Sequence, residues 1–165
     1  MKGKRKTHDG RIPKLEDHQV FVFGANQDGF HGAGAAGYAS FGVPGNRWRE
    51  YDYGAKPTGW AGKWNKKGLL GAQQGTEGKS YALVTVTRAG AKRSIQPQHM
   101  IRNIRFMYDA ATKHPELEWL VAQSHNKGLN GYTGEEMADM FASAGPIPDN
   151  VVFQKEFEEL IKIHL

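Results

Sequence analysis

Residues 20–41 read V-F-V-F-G-A-N-Q-D-G-F-H-G-A-G-A-A-G-Y-A-S-F. The segment begins with four large apolar residues, Val20–Phe23, and Gly24 closes this run, which predicts a buried strand. A glycine-rich loop follows, and the small residues that continue from it to Phe41 indicate a helix packed closely on a flat surface. A strand, a glycine loop and a helix place main-chain N–H groups and the positive end of a helix dipole at one point, which favours an anion, usually phosphate.

The glycine loop matches neither of two common phosphate-binding motifs. The chain has no G-x-x-x-x-G-K-[ST], and the spacing of Gly29, Gly32 and Gly34 is not G-x-G-x-x-G. Two interpretations therefore stay open for this segment: a phosphate-binding loop, or a tight connection between a strand and a helix.

The composition predicts one globular domain. The chain has 165 residues, a formal net charge of +5 and 21 glycines. The absence of cysteine excludes disulfides, thiolate metal sites and thiol nucleophiles. We predict no bound metal and no cofactor. No apolar run approaches the length of a membrane span and the N-terminus has no apolar signal core, so we expect a cytoplasmic protein.

Two segments, residues 1–17 and residues 44–93, carry much of the positive charge. Residues 1–17 are basic and lack periodicity, and we predict a tail or a loosely held arm, either a solubilising terminus or a nucleic-acid-binding arm. Residues 18–165 form the single predicted domain, with a Gly- and Trp-rich insert at about 42–78. Trp60 and Trp64 in this insert either cover an edge of the core or offer flat faces to a base. A basic, aromatic half suggests a polyanionic partner, a nucleotide or a nucleic acid.

The rest of the chain alternates between strand and helix patterns. Strands are predicted at 79–88, 117–122 and 150–153, and helices at 97–113, from Thr133 to about Gly145, and at 156–165. Pro97 suits the first position of a helix, and Thr133 with Glu136 forms a capping box. The alternation predicts an α/β fold with a mainly parallel sheet and helices on both faces.

Ligands of such sheets bind beyond the carboxyl ends of the strands, where we expect three loops to meet. These loops span residues 26–34, 88–93 and 124–132. Arg88, Lys92 and Arg93 in the second loop either clamp phosphate or are solvated. His31 in the first loop is the best candidate for a catalytic acid or base near neutral pH, the alternative being that it only caps the loop. His125 in the third loop could meet His31 across the rim.

The two glycine loops together resemble the macro domain, a three-layer α/β/α module that binds ADP-ribose. The resemblance rests on G-A-N-Q-D-G-F-H-G-A-G-A-A and on N-K-G-L-N-G-Y-T-G-E-E, and the order of elements matches from about Val20 to Phe153. The chain is nearest to the branch of terminal ADP-ribose protein glycohydrolase and the ADP-ribose-1″-phosphate phosphatases. It is also similar to phage and prophage proteins with an F-V-F-G-x-N and H-G-A-G-A-A opening.

The resemblance implies roles for individual residues. The first loop would wrap the distal ribose and diphosphate through main-chain N–H groups, and Asn26 would bind ribose. The second glycine loop, Lys127 to Gly131, would close over the diphosphate, and Tyr132 would stack near the distal ribose. The ligand-binding residues implied or predicted in this way are Asn26, His31, Gly32, Ala33, Gly34, Ala35, Arg88, Asn126, Lys127, Gly128, Leu129, Asn130, Gly131 and Tyr132.

The chain departs from the glycohydrolase branch at two catalytic positions. That branch has a nucleophilic lysine just after a strand that ends in threonine. In this chain the corresponding strand is the one predicted at 79–88, and Val86 and Thr87 stand at that position. The same branch has an aspartate in the second glycine loop, where this chain has Asn130. An amide cannot act as a general acid or base. We therefore predict that lysine–aspartate chemistry does not operate here. For the acidic residue that binds adenine, Asp17 and Asp28 are the candidates.

Three functions follow from these features. The first is a macro-like protein that binds ADP-ribose or a related nucleotide diphosphate, with or without hydrolysis of an ADP-ribosyl or phosphate derivative. The second is a nucleic-acid-binding accessory protein that uses the basic arm and the tryptophan-bearing insert. The third is a phage-type interaction protein that keeps the fold without the ligand or catalysis.

Overall fold

The computed structural model describes residues 5–12, 15–26, 70–72, 79–88, 90–128 and 130–165. Nine elements occur in these ranges. In chain order they are β1 (Thr7–His8), β2 (Gln19–Asn26), β3 (Leu70–Ala72), β4 (Lys79–Val86), α1 (Pro97–Lys113), β5 (Glu118–Val121), α2 (Gly134–Ser143), β6 (Val151–Gln154) and α3 (Lys155–Ile163).

The six strands form a mixed sheet in the order β1-β6-β5-β2-β4-β3. Strand β2 lies in the interior, with β5 on one side and β4 on the other, and both pairings are parallel. The pairs β5–β6 and β1–β6 are parallel as well, whereas the short edge strand β3 runs antiparallel to β4. The prediction of an α/β fold with a mainly parallel sheet is confirmed.

Alternate side chains of the strands enter two separate cores, one on each face of the sheet. The larger core takes Val20 and Val22 from β2 and is covered by α1, α2 and α3. The smaller core takes Phe21 and Phe23 from β2 and includes Leu15, which is fully buried. Burial of both faces explains why strand β2 reads as a continuous apolar run without polar alternation. The described helices all lie on the face of the larger core.

Helices α1 and α2 begin where their sequences predict, whereas α3 is predicted at 156–165 and is observed at Lys155–Ile163. Helix α1 has proline at its first turn and runs over the predicted residues 97–113, with Met100, Ile104 and Met107 buried on one side. Helix α2 begins with the predicted capping box: Thr133 Oγ1 accepts from Glu136 N, and Glu136 Oε1 accepts from Thr133 N.

The prediction of a loosely held N-terminal arm is wrong for the described part of that arm. Strand β1 adds to the sheet edge beside β6, and the Arg5 guanidinium donates to the carbonyls of Ile147, Pro148 and Val151. Arg5 Nε also lies 3.5 Å from Oε1 of the buried Glu158. A polar, basic stretch becomes an edge strand here because its donors and charges find partners on β6 and α3.

Two strand predictions need adjustment. Strand β2 continues beyond Gly24 to Asn26, with a bulge in its pairing between Ala25 and Asn26. Strand β3 lies within the segment 42–78, where no strand was predicted, because three residues that include a glycine carry no periodicity. The division at residue 17 and the Gly- and Trp-rich insert stay predictions, and Trp60 and Trp64 lie outside the described residues.

Candidate functional site

The carboxyl ends of the parallel strands meet at one edge of the sheet. The next described strand after β2 is β3, which lies at the edge of the sheet beyond β4. The strand that follows β5 is β6, which lies on the other side of β5, away from β2. The strands that follow β2 and β5 in the chain thus lie on opposite sides of this neighbouring pair. In open α/β sheets, a point of this kind leaves a crevice outside the carboxyl ends, where ligands bind.

An exposed glycine lies in the sheet at this point. Gly24 belongs to the interior strand β2, and it is exposed although the rest of residues 20–26 are buried. It shares a sheet face with Val20 and Val22, the face of the larger core. A Cβ built on Gly24 would lie 3.1 Å from Oγ1 of the buried Thr85. Solvent therefore reaches the main chain of the sheet beside the hydroxyl of Thr85.

The connection between β4 and α1, residues 87–96, will be called the β4 loop. It folds on itself through bonds from Thr87 N to Ser94 Oγ (2.9 Å) and from Ala91 N to Arg88 O (3.1 Å). Arg88 and Lys92 are exposed, and no ion pair engages either side chain within the described ranges. The β4 loop therefore offers two positive charges to solvent at the carboxyl end of the sheet.

The connection between β5 and α2, residues 122–133, will be called the β5 loop. Ser124 Oγ accepts from Asn126 N at 2.9 Å, and the side-chain oxygen of Asn130 accepts from Tyr132 N at 3.0 Å. Gly131 has φ +86°, a left-handed conformation that suits glycine. Asparagine and serine side chains stabilise turns in this way by bonding the main chain two residues on. The β5 loop is thus ordered by its own polar side chains.

The two loops contact each other, as the sequence predicts for loops that leave strand carboxyl ends. Arg93 N donates to Asn130 O at 2.6 Å, and Tyr132 donates its hydroxyl to Ile95 O at 2.6 Å. Gly131 packs so closely that a Cβ there would lie 2.8 Å from Cβ of Lys92. The part of the rim made by these two loops is confirmed. The loop at residues 27–34 lies outside the described residues, so its place on the rim stays a prediction.

The side chain of Arg93 is exposed, but its guanidinium is already engaged by a carboxylate of the protein. Its guanidinium makes a bidentate pair with Glu136, at 2.9 and 2.6 Å, and lies 4.5 Å from the centre of the Tyr132 ring. The hydrogen bonds from Arg93, followed by the one from the main chain of Thr133, lower the pKa of the Glu136 carboxyl to about 2. Glu136 is therefore ionised at neutral pH, and the pair of charges is permanent.

The N-terminus of α2 does not provide an anion site. Its first turn carries Glu135 and Glu136, and the capping box uses the donors of Thr133 and Glu136. Carboxylates in a first turn neutralise the positive end of the helix dipole. The positive charge at this rim comes instead from Arg88, Lys92 and Lys127, whose side chains are exposed.

The predicted ligand-binding residues fall into four groups. Asn26 is buried at the end of β2, whereas Arg88, Asn126, Lys127 and Gly128 are exposed on the two loops. Asn130, Gly131 and Tyr132 are buried, and the contacts described above hold them inside the β5 loop. The residues His31, Gly32, Ala33, Gly34, Ala35 and Leu129 lie outside the described residues. The ligand roles of all of them stay predictions.

Sequence reasoning did not single out Gly24, or Thr85 beside it, at the carboxyl end of the sheet. The available signal was a glycine within a run of large apolar residues, which can mark a close approach of another molecule to a strand. It also missed the partner of Arg93, because Glu136 is 43 residues away in the chain. His125, predicted to face His31, bonds through its main-chain N–H and its ring to Gln154 Oε1.

The described ranges contain no cluster of three or more His, Asp or Glu side chains arranged to hold a metal ion. In the same ranges, no helix has the length and apolar character needed to cross a bilayer.

The structure is similar to two solved forms of a macrodomain from Oceanobacillus iheyensis. A single-residue mutant of that protein is 17% identical over 96% of this chain and 87% of that one, with a TM-score of 0.49. The form with MES bound is 18% identical over 92% and 87% of the two chains, with a TM-score of 0.48. No protein-family model matches the sequence, and no curated protein matches it either. At this level of likeness, the choice of a ligand rests on the residues at the carboxyl end of the sheet.

Proposed function

We propose that the chain binds ADP-ribose or a related nucleotide diphosphate in the crevice at the carboxyl end of β2. The observation that carries this proposal is the exposed Gly24 of β2, at the point where the order of successive strands reverses between β2 and β5. A strand residue without a side chain lets the ligand approach the main chain of the sheet, and ligands of open α/β sheets bind at such a reversal of strand order.

The chemistry around Gly24 suits a hydroxylated anion. Thr85 supplies a hydroxyl and Asn26 an amide at the carboxyl end of the sheet, groups that hydrogen-bond ribose hydroxyls. Arg88, Lys92 and Lys127 place three exposed positive charges on the loops nearby, which favours a diphosphate. The main-chain donors of residues 32–35, implied by the macro-domain resemblance, complete the proposed site.

Binding is the function that we propose, and hydrolysis is a separate question. His31, the proposed acid or base for hydrolysis of an ADP-ribosyl or phosphate derivative, lies outside the described residues. Asn130 stands where the glycohydrolase branch has an aspartate, and its side-chain oxygen accepts from Tyr132 N. Asn130 thus has a role in loop structure that needs no proton transfer. Release of ADP-ribose from a modified protein, compared between the unaltered chain and His31→Ala, tests hydrolysis directly. The relationship to the glycohydrolase and phosphatase branch and to phage proteins belongs to the proposal as well.

The test is a thermal shift and a calorimetric titration with ADP-ribose, with ADP and ribose 5-phosphate as comparison ligands. A ligand present at 100 times its dissociation constant stabilises the folded state by about 2.7 kcal/mol, which raises the melting temperature by several degrees. Gly24→Leu should abolish the shift by filling the crevice. Arg88→Ala should weaken binding, whereas Arg102→Ala, which removes an exposed charge from helix α1, should not. No shift for the unaltered chain at millimolar ADP-ribose would refute the proposal.

The described residues give little support to the alternative that the chain binds nucleic acid. Arg5 is engaged by three carbonyls and Glu158, and Lys6 Nζ lies 2.8 Å from Glu118 Oε2, so two charges of the basic arm already have partners. Retention on single-stranded DNA at low salt that falls steeply with added salt would favour this alternative. A chain that binds neither ligand would support the third function, an interaction protein that keeps only the fold.

A further inference from the structure

Arg93 adopts a backbone conformation that needs support from its surroundings. Its φ is +53°, in the left-handed region that residues with a Cβ seldom occupy. The main-chain N–H that this conformation presents donates to Asn130 O at 2.6 Å, which ties the β4 loop to the β5 loop. A non-glycine residue persists in this region only where its neighbours hold it there.

The side chain of Arg93 supplies that support. Its two terminal nitrogens bond the two carboxylate oxygens of Glu136, and Nη1 also lies 3.4 Å from the carbonyl of Gly131. The guanidinium covers the face of Tyr132, whose hydroxyl bonds back to Ile95 in the β4 loop. These contacts leave few donors of Arg93 for a ligand.

Glu136 connects this pair to helix α2. The carboxylate occupies the third position of the helix and accepts from the main-chain N–H of Thr133, so its position is fixed by the capping box. The β4 loop, the end of the β5 loop and the first turn of α2 are thus joined through one ion pair. The contacts of Arg93 and Glu136 named above will be called the arginine clasp.

We infer that Arg93 is a positioning residue, which holds the β5 loop in its ligand-binding shape and does not contact the phosphates of the ligand. This inference rests on the proposed function, because the β5 loop is one wall of the proposed crevice. When only a fraction of molecules has the binding-competent loop, the apparent dissociation constant rises by the inverse of that fraction. Loss of the clasp should therefore weaken binding from a distance.

The decisive variant is Glu136→Gln, because the two possible roles of Arg93 predict opposite effects. Glutamine keeps the capping box, since it serves at this position as well as glutamate does, but it loses the ion pair. If Arg93 positions the loop, Glu136→Gln should weaken ADP-ribose binding by about tenfold, as expected when the competent fraction falls to about one tenth. If Arg93 contacts phosphate, releasing it from Glu136 should tighten binding, and that result would overturn the inference.

Glu135→Gln is the matched control. It removes the same charge from the same turn of α2, but Glu135 takes no part in the clasp. Its affinity should stay within about twofold of that of the unaltered chain, because exposed charges at a distance contribute little. Arg93→Lys should reproduce the loss of ADP-ribose affinity seen with Glu136→Gln. The double variant should bind no more weakly than either single variant, since both substitutions break the same clasp.

Salt dependence and hydrogen exchange complete the test. A cation that contacts phosphate contributes to the salt dependence of affinity, so Arg93→Lys and Glu136→Gln should leave that dependence unchanged if Arg93 only positions the loop. Without ligand, the amides of residues 124–132 should exchange faster in Glu136→Gln than in Glu135→Gln; equal exchange rates would overturn the inference. Exchange does not depend on ADP-ribose. Failure of the unaltered chain to bind therefore counts against the proposed function alone.

Discussion

Replacing Gly134 with alanine tests how closely helix α2 approaches the loop that precedes it. Gly134 is the first residue of α2, and a Cβ built on it would lie 1.8 Å from the carbonyl oxygen of His125. Ordinary van der Waals contact begins at 3.4 Å, so the main chain of His125 would have to move by about 1.6 Å, the difference between the two distances. The neighbouring atom is main chain, which cannot turn aside as the end of a flexible side chain can.

The energy of this substitution combines two opposing effects. Helix propensity alone would make alanine more favourable than glycine by up to about 1 kcal/mol. Displacing His125 breaks its bond to Gln154 Oε1 and disturbs the Asn126 N to Ser124 Oγ bond, each of which contributes about 1 kcal/mol. Overpacking of close-packed groups costs a further 1–3 kcal/mol or so. We therefore expect Gly134→Ala to lower the free energy of unfolding by roughly 2–4 kcal/mol.

Urea unfolding followed by tryptophan fluorescence and by circular dichroism measures this change. Gly128→Ala is the control, because Gly128 lies in the same loop and its added Cβ would have ordinary contact with Asn130 at 3.8 Å. The control should change the free energy of unfolding by no more than about 0.5 kcal/mol, as most exposed substitutions do. If Gly134→Ala is as stable as the unaltered chain, the close approach of α2 to the β5 loop is wrong.

Three further predictions concern other contacts. Asn150→Ala should cost about 2–3 kcal/mol in urea unfolding, because its side-chain amide donates to three main-chain carbonyls between residues 111 and 117; a loss below about 0.5 kcal/mol would contradict this bridging role. Tyr132→Phe leaves the Ile95 carbonyl without its 2.6 Å donor and should lower the free energy of unfolding by about 1 kcal/mol in the same assay. A variant more stable than the unaltered chain would contradict that bond. Burial lowers the pKa of His8 below 6.5 in the folded state, so the unfolded chain binds a proton more readily than the folded one. The free energy of unfolding should therefore fall as the pH decreases from 6.5 through the pKa that His8 has in the folded state. His8→Gln should flatten this decline, while replacing the exposed His99 in the same way should not; an unchanged decline in His8→Gln would show that His8 does not cause it.

The sequence predicted those elements whose local signals agree with their packing. Helix α1 combines a proline at its start with apolar residues at helical spacing, and its predicted bounds are those observed. Helix α2 was recognisable from Thr133 and Glu136, because a capping box is a local feature. Strand β1 was missed because an edge strand of two polar residues has no pattern of its own, and its partners on β6 lie some 146 residues away.

The candidate site was predictable in outline only. Parallel strands bring their carboxyl ends together wherever the alternation of strands and helices is correct, so the meeting of the β4 and β5 loops followed from element order. Gly24 within an apolar run was a signal for a close approach to the strand, but its exposure also depends on which residues cover the sheet. The role of Arg93 likewise depends on Glu136, a residue of another element. The sequence left two interpretations open, a phosphate clamp or a solvated side chain, and it gave no sign of the ion pair with Glu136.

The attachment of Arg5 and strand β1 to β6 and α3 has a consequence for biosynthesis. The partners of Arg5 are main-chain carbonyls of residues 147–151 and the buried carboxylate of Glu158, all of which leave the ribosome long after Arg5 itself. Contacts between residues so far apart in the chain form late, because loop closure must precede them. The nascent polypeptide must therefore keep Arg5 and strand β1 without these partners until residues 147–158 have been synthesised. A pause in translation before residue 151 would leave that segment exposed to chaperones and proteases.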